Sequence, residues 1–206
     1  MTRHAFGAEL RARLAANLAR HERARQARMG LKRAAVCVIV TGTAGGEAAL
    51  LLTRRAAHLT THAGQFALPG GRIDEGESPL EAARREALEE IGLALAPEAF
   101  LGRLDDYPTR SGFLITPLVA WLAAGAEPVA NPDEVETIYR IPLADLGAGP
   151  EFVSIPQSDR PVVRYPLLGT TIHAPTAAVL YQFMEVAMHG HATRVAHLEQ
   201  PVWAWR

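Results

Sequence analysis

The chain has 206 residues, 49% of them apolar, and a net charge of −1 with its histidines neutral. That length suits one domain with a real core, and so small a charge supplies no field that would draw nucleic acid or an anionic membrane. No apolar run approaches the ~18 residues needed to cross a bilayer, and the single cysteine, Cys37, excludes an intrachain disulfide framework and fits a reducing, cytoplasmic setting.

Residues 5–29 are rich in Ala, Leu and Arg, with Leu10, Leu14 and Leu18 spaced i, i+4, i+8. This spacing predicts an N-terminal helix with one narrow apolar stripe and a solvated basic face. Glu9, Glu22 and the absence of Ser argue against an organelle-targeting peptide. From Leu31 the pattern changes to strands. Residues 34–40 form an apolar run in which Cys37 reads as a small buried hydrophobe, and 48–53 follow a Gly-rich turn at 41–46 to make a hairpin. A loop with His58, His62, Gly64 and Gln65 leads into the run 66–71, Phe-Ala-Leu-Pro-Gly-Gly. Residues 79–91 predict a strong helix, with Ser78 as N-cap, Pro79 in the first turn, Glu81 three residues past the cap and Gly92 as the stop.

Further strands are predicted at 100–104 and 114–122, the latter holding Pro117, which points to an edge or a bulge. Residues 135–141 give another strand and 143–146 a short helical turn. A last helix begins at 175 or 176 and runs to about 188, with Val179, Phe183 and Val186 on one side. No repeat, low-complexity tract or linker interrupts residues 1–206, so a single layered domain of α/β (α+β) class is expected.

The chemistry concentrates at 71–93. A Gly-Gly pair ends a strand, where backbone can approach a ligand closely. An acidic loop follows, and then the helix places Glu86, Glu89 and Glu90 at i, i+3 and i+4, within ~5–6 Å of one another on one face. Like charges at that spacing repel, and only Arg85 stands i, i+4 from one of them, Glu89. An oxygen-only set suits a hard cation such as Mg²⁺, which could neutralise a diphosphate and activate water. A carboxylate free of metal could accept the water's proton. The same glutamates could equally be the solvated face of an acidic helix.

Gly71, Glu77 and the run Arg85-Glu86-Ala87-Leu88-Glu89-Glu90-Ile91-Gly92-Leu93 resemble in full the box of the Nudix hydrolase family, here at 71–93. The resemblance implies the Nudix fold, an α/β/α sandwich with a mixed β-sheet and a catalytic loop-helix. It also implies Mg²⁺- or Mn²⁺-dependent hydrolysis of a nucleoside diphosphate linked to another group. By that likeness Glu86 and Glu90 are the principal metal ligands, Glu89 is a further ligand or bridging group, and Gly71 offers its carbonyl. Glu77 braces the loop through Arg85. The general base is Glu86 or Glu89, with Glu134, in the turn 131–136, as the candidate outside the box. Asn-Pro-Asp also favours a simple turn acid there.

The segments Leu51-Leu52-Thr53-Arg54-Arg55-Ala56, Gly64-Gln65 and Pro69-Gly70-Gly71, with Thr116-Pro117, Asn131-Pro132-Asp133-Glu134-Val135 and Ile141-Pro142-Leu143, resemble the coenzyme A diphosphatase subgroup over roughly residues 30–190. That likeness implies cleavage of coenzyme A to 3′,5′-ADP and 4′-phosphopantetheine, with Arg54 and Arg55 available to pair with phosphates. Three positions depart from the subgroup: Thr60 stands for Arg, Leu68 for Phe, and His173 lies where relatives carry Trp in a Trp-Gly-Ala-Thr-Ala run. They leave open another nucleotide diphosphate, such as a nucleotide sugar or dinucleotide. His58, His62 and His173 read as hydrogen-bonding or pocket-lining groups, since magnesium prefers oxygen. A non-catalytic nucleotide-sensing module is the rival reading, against which stand the retained glutamates. The expected partner is a small-molecule nucleotide, to a monomer or homodimer, with neither nucleic acid nor membrane.

Overall fold

The computed structural model describes residues 3–26, 30–60, 63–123 and 125–205. Its first helix, α1 (Ala8–Arg20), buries the predicted stripe of Leu10, Leu14 and Leu18. It is shorter than the expected 5–29. At His21 the chain turns to extended geometry and leaves the helix, because the groups beyond it are bonded elsewhere. Arg23 Nε donates to the Leu104 carbonyl at 2.9 Å, the Ala24 N–H to Asp105 at 2.7 Å, and the Asp106 N–H to the Ala24 carbonyl at 3.2 Å. Residues 27–29 lie outside the described ones.

The strands are β1 (Lys32–Gly42), β2 (Ala48–Arg55), β3 (Phe66–Ala67), β4 (Gly70–Arg72), β5 (Phe100–Arg103), β6 (Tyr107–Pro108), β7 (Phe113–Trp121) and β8 (Val135–Pro142). Among the described residues these eight form one mixed sheet. Its spine is β1, which runs parallel to β7 from Lys32 opposite Phe113 to Val40 opposite Trp121. The other edge of β1 is shared: its end pairs with β2 through Val40 and Leu50, and its start with β4 through Ala35 and Gly71. Meanwhile β3 pairs with the far end of β2 through Arg54 and Phe66. The segment 66–72 is thus wedged where β1 and β2 diverge, and the Cys37 N–H donates to the Pro69 carbonyl to seal it at 2.8 Å.

Helix α2 (Pro79–Ile91) has the expected ends. Ser78 Oγ accepts the Glu81 N–H, the Glu81 carboxylate accepts the Ser78 N–H at 2.8 Å, and Gly92 closes the helix at φ 66°. Its Ala82, Ala83, Ala87 and Ile91 pack on Ala35, Cys37, Ile39, Leu51, Leu118 and Ala120. These are alternate positions of each strand, and hence one face of the sheet. Val38, Val40, Leu50, Leu52 and Val119 face the other way, onto α1 and a final helix. That helix, α3 (Thr176–Gln182), continues as a π-helical turn, Phe183–Met188. Helices therefore cover both faces of the sheet, as the fold class requires. Cys37 is fully buried, and burial pushes its thiol far above the ordinary range.

Two features differ from expectation. Pro117 lies neither on an edge nor in a bulge, since β7 is flanked by β1 on one side and by β5 and β6 on the other. Its carbonyl accepts the Leu104 N–H at 3.0 Å. Its missing N–H therefore points to the same side, into the gap between β5 and β6, where no ladder bond is lost; the irregularity sits in β5, between Phe100 and Gly102. A second, three-stranded antiparallel sheet was not anticipated. It comprises β9 (Glu151–Ile155), β10 (Ser158–Leu167) and β11 (Thr170–His173). It contributes Val163, Tyr165, Leu167 and Ile172 to the core on the α3 side.

Candidate metal centre

Glu86, Glu89 and Glu90 of α2 do not share one environment. Glu86 and Glu90 turn toward the sheet, where Glu134 from the turn before β8 joins them. One carboxylate oxygen from each lies within 4.8 Å of the other two. Glu90 is only 4% exposed. Glu89 stays outside this cluster, with half its side chain in solvent and its carboxylate on Arg85 at 3.0 Å.

The turn carrying Glu134 is docked on the end of α2. The Asn131 N–H donates to the Glu90 carbonyl at 2.9 Å, and the Asn131 carbonyl accepts from Glu134 and Val135. The Ala56 N–H then donates to the Glu134 carbonyl at 2.9 Å. Glu134 is a turn acid by backbone and a member of the cluster by side chain.

Glycine lines the opposite wall at two positions and is required by backbone at the first. At Gly70, with φ 151°, a Cβ would fall 2.2 Å from the Ala35 carbonyl oxygen. At Gly71 it would fall 2.3 Å from Glu86 Oε1. A side chain at Gly71 would displace the Glu86 carboxylate from this position. The Gly70 N–H donates to Glu90 Oε2 at 3.0 Å. From β2, Arg55 brings Nη1 to 3.8 Å from Glu90 Oε1, while its buried Nε has no hydrogen-bond partner. Arg54, its neighbour, points outward to Glu136 at 3.4 Å.

The electrostatics are those of an under-paired site. Burial pushes the Glu90 carboxyl up to about 8, with Glu86 and Glu134 adding to the shift, although the Gly70 N–H and Arg55 oppose it. Burial also raises Glu86, against its bonds from Arg85. All the donors are oxygens, and a hard divalent cation would relieve both the burial cost and the mutual repulsion. The free Nε–H of Arg55 leaves a donor for an anionic oxygen beside them. The residues present fit a magnesium-type ion and a phosphate.

Arg85 ties the acidic loop to α2. Its Nε and Nη2 donate to the two oxygens of Glu77 at 3.0 and 3.1 Å, its Nη1 to Glu86 at 2.8 Å, and its Nη2 to the Arg72 carbonyl at 2.9 Å. Those bonds from Arg85 hold the Glu77 carboxyl below its usual range, helped by the Asp74 N–H. Glu77 is thereby committed to the loop and is not a member of the carboxylate cluster.

Of the residues singled out from sequence, the fold brings Glu86, Glu90, Glu134, Gly71 and Arg55 together, and leaves Glu89 and Arg54 at the rim. Sequence reasoning missed the part of Gly70, whose signal was the Gly-Gly pair itself. It also missed the approach of Arg55 to Glu90, which depends on β2 and α2 being neighbours. His58 is exposed, His62 is outside the described residues, and His173 lines a separate cavity.

The family model described as NUDIX domain matches residues 31–164. A relative named uncharacterized Nudix hydrolase NudL, from Yersinia pestis (strain Pestoides F), is 42% identical over 98 residues, covering 47% of this chain and 49% of its own. The counterpart of the same name from Yersinia pseudotuberculosis serotype O:1b (strain IP 31758) matches equally, with 42% identity over 98 residues. The chain therefore spans about half the length of the curated relatives it matches. Among solved structures, a MutT/nudix family protein from Enterococcus faecalis superposes with a TM-score of 0.51 at 16% identity, covering 78% of this chain and 66% of its own. A NUDIX hydrolase from Alicyclobacillus acidocaldarius gives 0.50 at 19% identity, covering 79% and 93%. At such identities these two speak for the fold.

Proposed function

The chain belongs to the NUDIX domain family, and from that premise we propose that it is a divalent-metal-dependent pyrophosphohydrolase of a nucleoside-diphosphate-linked substrate. The observation that carries the reading is the convergence of Glu86, Glu90 and Glu134 beside the side-chain-free backbone of Gly70 and Gly71. In this reading Glu86, Glu90 and Glu134 hold Mg²⁺ or Mn²⁺, with the Gly71 carbonyl as a further ligand. Bound there, the ion supplies charge neutralisation for the diphosphate and lowers the pKa of water. Arg55 binds a phosphate oxygen through its free Nε–H, and Arg54 supplements it from the rim. Water adds to one phosphorus as the bridging oxygen leaves. The proton of that water passes to a carboxylate, with Glu86 and Glu89 as the candidates on α2 and Glu134 on the turn. Glu77 and Arg85 keep the loop and helix in register.

The substrate we propose is coenzyme A or a derivative, cleaved to 3′,5′-ADP and 4′-phosphopantetheine. The support is the upstream segment ending in Gly64-Gln65 and Pro69-Gly70-Gly71. One of the three departures, Leu68, is 3% exposed within the core on the α3 side, so it concerns packing rather than substrate. Thr60 and His173 favour the second reading, another nucleotide diphosphate. Chromatography of products after incubation with coenzyme A and Mg²⁺ or Mn²⁺ decides. Release of 3′,5′-ADP is expected; intact coenzyme A alongside turnover of a nucleotide sugar or dinucleotide would transfer the assignment to the second reading.

A further inference from the structure

A cavity of about 220 Å³ opens between the loop before β3 and the strand β11, lined among others by Gly64, Phe66, Thr171, His173, Pro175 and Trp203. It adjoins the candidate metal centre by one strand. The Gly64 N–H donates to the Arg55 carbonyl at 3.1 Å, the Arg55 N–H to the Gln65 carbonyl at 3.0 Å, and Phe66 stands opposite Arg54. Adjacent strands lie ~4.8 Å apart, so a group bound in the cavity and a diphosphate held by Arg55 belong to one molecule's reach.

Three properties define its occupant. Among the described residues the lining holds no Lys, Arg, Asp or Glu, so the cavity suits a neutral group and not a phosphate. The rings of His173 and Trp203 meet at 88° with centroids 5.4 Å apart. They form a right-angled corner in which a flat group stacked on one plane presents its edge to the other. Finally, His173 Nδ1 is buried with no hydrogen-bond partner, a costly condition that a ligand would relieve. Thr171 and His173 alternate with the buried Ile172 along β11, so both project from the face opposite the core. Burial, with Arg164 adding to it, lowers the pKa of His173; its neutral ring can accept or donate according to tautomer.

We propose that this cavity binds the nucleobase of the substrate, with Trp203 as a stacking wall and His173 Nδ1 as the hydrogen-bonding group that reads the base edge. The proposal rests on the hydrolase reading above and extends it to the part of the substrate remote from the diphosphate. Two measurements test it. In metal-free protein, the ¹⁵N resonances of the His173 imidazole are followed by NMR while adenosine 5′-monophosphate is added. A saturable shift is expected. In steady-state kinetics, His173→Ala is expected to raise KM for the nucleotide substrate about tenfold, the value of one neutral hydrogen bond, with a much smaller change in kcat. If His173→Ala does not fold, Trp203→Ala, at a half-exposed position, serves in its place. Silence of the His173 signals together with an unchanged KM would overturn the proposal. So would a shift caused by 4′-phosphopantetheine and not by the nucleotide, which would give the cavity to the other arm. A His173 shift without hydrolysis of any diphosphate would sink the enzymatic reading while leaving the base site standing.

Discussion

Among the buried carboxylates of the described residues, two centres are built on opposite principles. Asp105, just past β5, has a side chain only 2% exposed. It accepts from the Ala24 N–H at 2.7 Å, from Arg194 at 2.8 and 3.0 Å, from Gln182 at 2.7 Å and from His21 at 2.9 Å. Burial alone would raise its carboxyl. The Ala24 N–H, Arg194, Gln182 and His21 outweigh that and hold it below the ordinary range. Glu90 is about as deeply buried, yet it receives one N–H from Gly70 and a distant Arg55, and shares its space with two further carboxylates. Burial depth is therefore the same signal at both places. What separates a structural acid from a chemical one is whether its lone pairs are already taken.

If the under-paired centre serves the reaction, Glu86→Gln and Glu90→Gln should each lower kcat by about 10²-fold or more, since metal clamps supply several kcal/mol at phosphoryl centres. Thermal unfolding of the same variants in metal-free buffer should show no loss of stability: Glu86→Gln removes a charge from a repelling set, and Glu90→Gln replaces a carboxyl that burial already keeps largely neutral at pH 7 with an amide whose oxygen can still accept the Gly70 N–H. Near-normal turnover in both variants would erase the contrast with Asp105. Next in size is the effect of the ion. Mg²⁺ at about 100-fold over its dissociation constant should stabilise the wild type by about 2.7 kcal/mol, seen as a raised Tm. Glu90→Gln should lose most of that rise.

Asp105→Asn should do the reverse. It should cost about 2 kcal/mol in urea unfolding, because Arg194 and the Ala24 N–H lose a charged acceptor, while kcat of the folded protein is kept. Its pH behaviour follows from the direction of the shift. A carboxyl held below its unfolded value of ~3.9 contributes stability that is present above that value and is lost as pH falls through the folded pKa. The urea midpoint of the wild type in chelator should therefore drop between pH 5 and pH 3 more steeply than that of Asp105→Asn; parallel curves would show that Asp105 is not the titrating group. The smallest effect sharpens the comparison by acting on α2 without touching its inner face: Ser78→Ala should remove about 1 kcal/mol of cap stabilisation and leave kcat unaltered.

Legibility in the sequence followed the same divide between local and distant causes. Both ends of α2 could be read, since Ser78, Glu81 and Gly92 act within a turn of where they sit. The spacing of Glu86, Glu89 and Glu90 put them on one face, but not which of them would turn inward. Arg85 draws Glu89 out, and Glu134 meets the others only because Asn131 docks on the end of α2. The overlong reading of α1 failed for a tertiary reason. Residues 21–26 have the composition of a helix, and hydrogen bonds to 104–106 draw them away from one. The second sheet was hidden by Pro156, Pro161 and Pro166, which obscure a period of two. Pro117 misled because the rule about central strands concerns the missing N–H, and here that N–H would have faced a gap.

The connections of Asp105 also bear on the order in which the chain assembles. Its partners come from residues 21 and 24 on one side and 182 and 194 on the other, whereas everything proposed to touch metal or phosphate lies between Arg54 and Glu134. Contacts of such long sequence separation close late, after loop entropy has been met by other pairings. The contacts that hold Glu90 to Gly70, Arg55 and Asn131 span far fewer residues, so the carboxylate cluster can be drawn together before Arg194 has anything to grip. Docking of the segment beyond α3 then acts as the clasp on a centre already arranged.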